Sequence, residues 1–174
     1  MSLDELSRLI RRPATRRFVT DRDVPRETVA ALVDAARWTG SARNRQPWRF
    51  VEVRDRALIE ALSRLGAYAQ FVSGAPVVLA VAAADNGFAD TAFDTGRVTQ
   101  SLVLAAAALG LGACPATLFP EANVDEARRL LRLDEGWLPD HLVALGYPSA
   151  EPAPAAPRVI PGGRLPLETL LTTI

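Results

Sequence analysis

The sequence predicts a domain that combines α-helices with a β-sheet, and three observations support this class. Several stretches repeat apolar residues at the spacing of an amphipathic helix, as Val29, Leu32 and Ala36 do. Residues 77–82 form a continuous apolar run between turn signals, which is typical of a strand covered on both faces. The 174 residues suffice for one sizeable core, and no internal repeat or low-complexity linker divides them. We therefore expect a single domain over residues 1–174.

The first half of the chain contains clear start signals for helices. Ser2, with a glutamate three residues later, has the pattern of a capping box, and Pro13 ends the helix that follows. Pro25 suits the first turn of a second helix, and Asp55 or Arg56 starts a third. Together with the apolar runs, these signals predict helices at 2–11, 25–38 and 55–65, a short helical turn at 68–72, and strands at 48–53 and 77–82.

The second half predicts two more helices and two more strands. Residues 85–93 are expected to form a loop, after which Asp94 or Thr95 can cap a helix that Gly110 helps to close. Asn123 is the expected cap of a further amphipathic helix. The predicted elements are helices at 94–109 and 123–131, a strand that runs out into a loop within 112–120, and a strand at 141–145.

Two segments predict a second subunit. Leu102–Leu109 is apolar on every side, and a helix without a polar face must be buried all round. In a chain of this size, we expect a partner subunit to cover part of that helix. The stretch Pro148–Pro161 contains five prolines and is expected to extend rather than fold as a helix or central strand. Residues 148–174 are therefore expected to form a C-terminal arm on the partner.

Composition argues against several classes of protein. The formal net charge is zero, which disfavours nucleic acid as the main partner. Cys114 is the only cysteine, so the chain can form no internal disulfide and suits a reducing cytoplasm. The longest apolar run, Leu102–Leu109, is far shorter than the ~20 residues that cross a bilayer. The polar N-terminus also differs from a signal peptide, so we expect a cytoplasmic protein.

All 20 basic residues are arginine, and four of them fall within the seven positions from 11 to 17. Such a density of like charge is self-repulsive unless an anion lies among the side chains. A phosphate monoester is the natural partner, because the guanidinium group presents a planar fork of donors. A solvated charged surface is the alternative, and the segment alone is compatible with both.

Residues 40–47, which we call the amide loop, join a predicted helix to a predicted strand. The three small residues at 40–42 let the backbone approach a flat group closely. Asn44 and Gln46 each carry an amide that both donates and accepts hydrogen bonds, and Pro47 favours an extended chain. This pattern suits the edge of a polar heterocycle. An ordinary helix-to-strand connection rich in turn formers is the alternative.

The chain offers little side-chain chemistry of its own. His141 is the only histidine, so the sequence predicts no zinc site of ordinary type. Cys114 lies in an apolar stretch and is expected to be an inert core thiol. The glycine-rich phosphate loops and the serine nucleophile motif are missing. These observations suggest that a bound cofactor performs the chemistry.

Four stretches carry a resemblance to a known family. Residues 12–18 resemble the pattern R-x-S-x-[KR]-x-F, with Ala14 at the serine position, and residues 41–50 match S-x-x-N-x-Q-P-W-x-F nearly without departure. Residues 110–115 and 161–166 match, more loosely, a G-[LI]-G/D-x-C-P turn and a C-terminal P-K-x-R-L-P. In these motifs, which follow one another over almost the whole chain, the sequence resembles the nitroreductase superfamily of FMN-dependent oxidoreductases.

The resemblance implies an α+β fold, a three-layer α/β/α sandwich around a central mixed, mainly antiparallel sheet. It also implies an obligate homodimer with two FMN sites at the interface. The segment between Trp48 and Asp94 is shorter than in larger members of the superfamily. That shortness implies an open, shallow substrate pocket.

The resemblance also implies which residues bind the cofactor. Arg12, Arg16 and Arg164 would hold the FMN phosphate and ribityl chain, although Ala14 and Gly162 replace the usual Ser and Lys. The amide loop would face the flavin ring, partly from the other subunit, and backbone N–H groups near Thr117 would face N5 and O4. No catalytic side chain is implied, because the chemistry takes place at N5. The full implied set is Arg12, Pro13, Ala14, Arg16, Ser41, Asn44, Gln46, Gln70, Pro115, Ala116, Thr117, Leu118 and Arg164.

The function that the resemblance implies is that of an FMN-dependent NAD(P)H oxidoreductase. It would work by a ping-pong mechanism and reduce an electron-poor acceptor such as a nitroaromatic compound, a quinone or an activated alkene. Two alternatives stay open. One is a relative that uses another reductant or acts on the flavin itself, and the other is a dimer that binds flavin or another ligand without turnover.

Overall fold

The structure is a computed structural model that describes residues 2–151 and 163–174. Within these residues the chain forms six α-helices, two short 3-10 turns and four strands. The helices are α1 (Leu3–Ile10), α2 (Arg26–Ala36), α3 (Arg56–Ser63), α4 (Asp90–Ala108), α5 (Glu121–Leu130) and α6 (Leu167–Leu170). The strands are β1 (Trp48–Val53), β2 (Val77–Ala84), β3 (Gly112–Thr117) and β4 (Trp137–Gly146), and the 3-10 turns are Ala42–Asn44 and Gln70–Gly74.

Most of the predicted elements are confirmed, including the capping box at α1, where the Ser2 hydroxyl accepts a hydrogen bond from the Glu5 N–H. The predicted start of α4 at Asp94 or Thr95 is wrong, because the helix begins four residues earlier, at Asp90. The short exposed helix α6 was not predicted. Residues 152–162, which include most of the predicted proline-rich arm, lie outside the described residues.

The predicted cap at Asn123 is also wrong. Helix α5 begins two residues earlier, at Glu121, with Pro120 in the N-cap position. The Asn123 side-chain amide instead donates to the carbonyl oxygens of Leu65 and Phe119, at 3.0 and 2.9 Å. Asn123 therefore ties α5 to the chain that follows α3.

The four strands form one sheet in the order β1-β2-β4-β3. All three strand pairings in the described residues are antiparallel, which confirms that the sheet is mainly antiparallel, and the parallel part of the implied mixed sheet stays a prediction. β2 lies in the interior of the sheet and is buried from Val77 to Ala83, which confirms the prediction of a strand covered on both faces. β1 and β3 are the two edges.

Helices pack on both faces of this sheet, and the alternation of side chains along β2 divides the core accordingly. Val78 and Ala80 point into a cluster with side chains from α3 and α5. Val77 and Leu79 point into a second cluster with side chains from α2 and α4. The α+β class is therefore confirmed.

The described residues cover the outward side of α4 only in part. Only Leu102 and Ala106 are buried in its apolar second half, and Leu109, which follows the helix, is 51% exposed. The predicted cover of this side by a second subunit stays a prediction. No helix in the described residues is long and apolar enough to span a membrane.

Candidate active site

The arginine-rich segment lies along the outer edge of β3. The Thr15 N–H donates to the carbonyl oxygen of Ala113 at 3.0 Å, which fixes the segment against the strand. Gly112 permits this approach, because a Cβ at this position would lie 2.5 Å from the Thr15 hydroxyl oxygen. The segment then crosses to the end of β4, where the Val19 N–H donates to the Tyr147 carbonyl at 2.9 Å.

The backbone of β3 presents one free donor in the second half of its open edge. In an antiparallel pair, successive residues point their N–H and C=O groups alternately toward and away from the partner strand. Since the Ala113 carbonyl points away from β4, the backbone groups of Pro115 and Thr117 do so as well. Pro115 has no N–H, and edge strands tolerate proline for that reason. The Leu118 N–H donates to the Asp140 carbonyl at 2.8 Å, which leaves Thr117 as the outward donor.

A cavity of about 230 Å³, the arginine cavity, adjoins the first half of this edge. It is lined by α1, the segment that follows α1, the second half of α4, the start of β3 and Arg164. Arg12 donates to the Ala107 carbonyl at 2.6 Å, and Arg164 to the carbonyl of its neighbour Gly163 at 2.9 Å. Each guanidinium group keeps further N–H groups for an anion. Of the predicted site residues, the cavity brings together Arg12, Pro13, Ala14, Pro115 and Arg164.

A second cavity of about 560 Å³, the aromatic cavity, adjoins the second half of the same edge. Its wall combines exposed aromatic rings with one cation, and the Arg16 guanidinium lies 5.6 Å from the Phe71 ring centre. The Gln70 amide donates to the Ala67 carbonyl at 3.1 Å. The lining residues are Arg16, Tyr68, Gln70, Phe71, Pro115, Ala116, Thr117 and Phe119.

The three predicted phosphate-binding arginines do not lie together. Arg12 and Arg164 line the arginine cavity, whereas Arg16 lines the aromatic cavity with Gln70. The two cavities share Pro115, so joint binding of the FMN phosphate and ribityl chain by the three arginines stays a prediction. Ala113 and Thr117 are four residue steps apart along β3, which corresponds to ~13 Å of extended chain. Arg12 and Arg16 therefore line cavities along different halves of this edge.

The amide loop has an unusual backbone. Arg43, Asn44 and Gln46 have positive φ angles of 52°, 53° and 49°, in the left-handed region that residues other than glycine rarely adopt. The Ser41 hydroxyl accepts from the Gln46 N–H at 2.9 Å, and the Asn44 side-chain oxygen accepts from the Gln46 amide at 3.2 Å. The three predicted residues of this loop therefore form one hydrogen-bonded group, and their free donors and acceptors face outward.

Two aspartates on α4 hold the amide loop in place. Asp94 is 1% exposed, and its carboxylate accepts from the Ala42 N–H at 2.8 Å. Arg97, on the same helix, donates to Asp94 at 3.4 Å, and the Arg45 guanidinium pairs with Asp90. Sequence reasoning treated Asp94 as a helix cap and missed this role. The contact joins positions 52 residues apart, which no local pattern indicates.

Within one chain, the amide loop and the two cavities lie at different edges of the sheet. The loop leads into β1, whereas the cavities adjoin β3. Three strand spacings separate these edges, which is ~14 Å at ~4.8 Å per spacing. The structure therefore brings the predicted residues together in three groups, one in each cavity and one in the amide loop, whereas Leu118 is buried and lines neither cavity.

Two remaining groups near the cavities titrate away from their ordinary values. Burial raises the pKa of the Cys114 thiol, and the positive charge of Arg16 opposes this rise only in part. A hydrogen bond from the His141 ring nitrogen Nδ1 to the Asp140 carboxylate, at 2.8 Å, raises the pKa of His141 although partial burial lowers it. His141 is the register partner of Thr117 across the sheet. No cluster of three or more potential metal ligands occurs in the described part of the chain.

The model of the nitroreductase family matches this sequence over residues 9–69 and 60–147. The chain belongs to the nitroreductase family. A relative from Methanothermobacter thermautotrophicus, provisionally named an NADH dehydrogenase/NAD(P)H nitroreductase, is 33% identical over 154 residues, which cover 86% of this chain and 80% of the relative. The resemblance that the motifs suggested is thereby confirmed.

Solved structures extend this likeness to the fold. A nitroreductase family protein from Clostridium difficile 630 is 26% identical, covers 99% of this chain and 98% of its own, and superposes with a TM-score of 0.75. The FMN-dependent nitroreductase of Clostridium difficile R20291 is 21% identical, covers 83% of this chain and 87% of its own, and also gives a TM-score of 0.75. On these relationships, this nitroreductase family member is an oxidoreductase of nitroreductase type.

Proposed function

We propose that this protein is an FMN-dependent oxidoreductase that takes a hydride from NADH or NADPH and reduces an electron-poor acceptor. The acceptor would be a nitroaromatic compound, a quinone or an activated alkene. The observation that supports this proposal most directly is the open edge of β3, where the arginine cavity and the aromatic cavity meet at Pro115. One end of this edge offers cations, and the other offers flat apolar surface with a backbone donor.

The donors along this edge fit FMN, which has a phosphate at one end and a flat heterocycle at the other. Arg12 and Arg164 would bind the phosphate through charge-assisted hydrogen bonds. Gln70 would hydrogen-bond the pyrimidine edge of the ring, and Arg16 would supply positive charge beside it, where reduction increases the negative charge. The Thr117 N–H would donate to N5. When bound, FMN supplies a centre that accepts a hydride and later releases it.

The proposal includes a homodimer in which each site uses two chains. The amide loop lies at the opposite edge of the sheet from the cavities of its own chain, so a second chain could bring its own loop to them. The uncovered apolar side of α4 supports the same interface, because burying it would stabilise the pair through the hydrophobic effect. A three-layer, single-domain subunit and a cytoplasmic location belong to the same proposal.

In this dimer the side chains and backbone bind and orient rather than react. Asp94 would keep the amide loop in one conformation, so that Asn44 and Gln46 meet the ring with fixed geometry. Tyr68 and Phe119, which are 82% and 52% exposed, would limit the access of water over the ring. Both substrates would use the same cavity in turn, which is the basis of a ping-pong mechanism.

The central experiment follows the colour of the FMN-loaded protein without oxygen. NADH or NADPH should bleach the flavin absorbance, and menadione should then restore it. A flavin that neither nucleotide bleaches would contradict the reductase proposal and favour the binding protein without turnover. The substitution of Ala14 for the usual Ser makes that outcome worth testing.

A pair of variants tests the role of the backbone donor. Thr117→Pro removes the outward N–H in a strand edge that already tolerates Pro115, whereas Thr117→Ala keeps the N–H. We expect Thr117→Pro to bleach at least tenfold more slowly, because the N–H would polarise N5 toward the incoming hydride and the loss of one preorganised donor costs about that much or more. Equal rates in the two variants would exclude a role for this N–H.

A further inference from the structure

Arg43 stands out in the amide loop because its side chain is exposed and has no partner among the described residues. The neighbouring cations are engaged. Arg45 pairs with Asp90, and Arg97 pairs with Asp94. Arg43 therefore offers its five N–H donors to solvent or to a ligand.

The backbone at Arg43 is strained in a way that points to function. Its φ and ψ angles of 52° and 26° lie in the left-handed region, which glycine adopts at lower cost. Such conformations persist where the surrounding structure fixes them, and they concentrate at ligand sites. Here the Ser41 hydroxyl and Asp94 fix the loop on either side of Arg43. Their contacts hold the guanidinium outward, next to Asn44.

The local charge favours an anionic ligand. Residues 41–49 and the first two turns of α4, residues 90–97, contain four arginines and two aspartates. Two positive charges therefore remain in this region after pairing. Of the two substrate classes in the proposed reaction, the reducing dinucleotide carries phosphates, whereas the acceptors considered are neutral. The dinucleotide is the ligand that this charge can recognise.

We propose that Arg43 binds a phosphate group of the reducing dinucleotide and thereby determines the affinity for NADH or NADPH. This inference rests on the proposed function, including the dimer that brings the amide loop to a flavin. Arg43 affects only the step in which the dinucleotide reduces the flavin, because a neutral acceptor carries no negative charge for the guanidinium group to bind. It contributes to binding and takes no part in hydride transfer.

Arg132 provides a matched control. It is also an exposed arginine with a left-handed backbone, at a φ of 54°, and its side chain has no partner among the described residues. It follows α5, away from both cavities and from the amide loop. Substitutions at the two positions change charge and backbone strain equally, so only their locations differ.

The experiment compares Arg43→Gln and Arg43→Gly with Arg132→Gln and Arg132→Gly, all loaded with FMN. Calorimetry measures the dissociation constant of tetrahydro-NADH, a non-reducing analogue. Stopped-flow absorbance measures anaerobic bleaching by NADH and reoxidation by menadione separately. Both Arg43 variants should weaken binding of the analogue and slow bleaching at low NADH by about tenfold, the effect of one partly screened charge-assisted hydrogen bond. Reoxidation should be unchanged.

The two glycine variants protect the test against misfolding, because glycine relaxes the left-handed backbone and should raise stability at both positions. An Arg43 variant that binds the analogue as tightly as the Arg132 variant would overturn the inference. Equal slowing of bleaching and reoxidation would also overturn it, since it would indicate a general effect on the flavin. If the wild-type protein is not bleached at all, the proposed function fails first, and that failure is visible without any variant.

Discussion

Replacing Gly66 by alanine should destabilise the protein and disturb the proposed flavin contact, because this glycine lets two segments approach closely. Gly66 lies between α3 and the 3-10 turn at 70–74, against the end of β3. A Cβ at Gly66 would lie 2.5 Å from the Thr117 carbonyl oxygen and 2.9 Å from the Ala69 Cβ. Neither atom can rotate away, so the backbone must move.

The size of the effect follows from these distances. Non-bonded contacts relax to ~3.5 Å, so the Thr117 backbone or Gly66 must shift by ~1 Å. Overpacking of this kind costs ~1–3 kcal/mol, and the lower entropy of the unfolded chain returns ~0.4–1 kcal/mol. The expected loss of unfolding free energy is ~0.5–2 kcal/mol, or ~1–8 °C in the melting temperature of a chain of this length. A displaced Thr117 N–H should also weaken FMN binding by ~2- to 10-fold.

The assay combines thermal unfolding of the FMN-free protein with titration of FMN fluorescence. Gly74→Ala is the matched control, because a Cβ at Gly74 would meet nothing within 4 Å. This control should be neutral or slightly stabilising and should leave FMN binding unchanged. A Gly66→Ala protein with the same melting temperature as the Gly74→Ala control would refute the steric argument. Lower stability with unchanged FMN affinity would separate the packing at Gly66 from the proposed role of Thr117.

Three further predictions concern charge, pH and assembly. Arg16→Ala should weaken FMN binding about tenfold or more, whereas Arg8→Ala, on an exposed part of α1, should not, as equilibrium dialysis would reveal. Because Asp140 raises the pKa of His141, the protonated ring stabilises the folded protein. This contribution to the free energy of unfolding is fully present below the pKa of ~6.5 in the unfolded chain and is lost as the pH rises through the higher pKa of the folded protein. Urea unfolding across this pH range should therefore show a pH dependence that His141→Gln lacks. Leu104→Arg, on the uncovered side of α4, should shift sedimentation toward the monomer, and a wild-type protein that sediments as a stable folded monomer would contradict the dimer.

The fold was predictable where local signals and burial agree. The Ser2 capping box pairs backbone groups within its own segment, and the apolar run in β2 is buried along almost its whole length. The local sequence pattern was therefore enough to predict each element. Asp94 and Asn123 misled the prediction, because each has the chemistry of a helix cap and is used by a distant segment instead. The same side-chain oxygen or amide serves both purposes, and only the tertiary structure decides between them.

The candidate site was predictable in its parts but not in its arrangement. The motifs identified Arg12, Arg16 and Arg164 as anion-binding candidates, and all three line cavities. Their division between two cavities depends on how the segment after α1 crosses the edge of β3, which spacing does not encode. The left-handed backbone of the amide loop was equally hidden, because Arg43 and Gln46 are not residues that favour it.

Pro115 has a consequence for the solubility of the protein. A sheet edge with a regular row of free N–H and C=O groups is a template on which another strand can add, and such edges promote aggregation. In β3 the proline interrupts that row at its centre, and Thr15 occupies the Ala113 carbonyl at one end. A second strand therefore finds too few partners to pair along this edge. A flat ligand needs only the single donor at Thr117, so the same edge can stay open to a small molecule while resisting polymerisation.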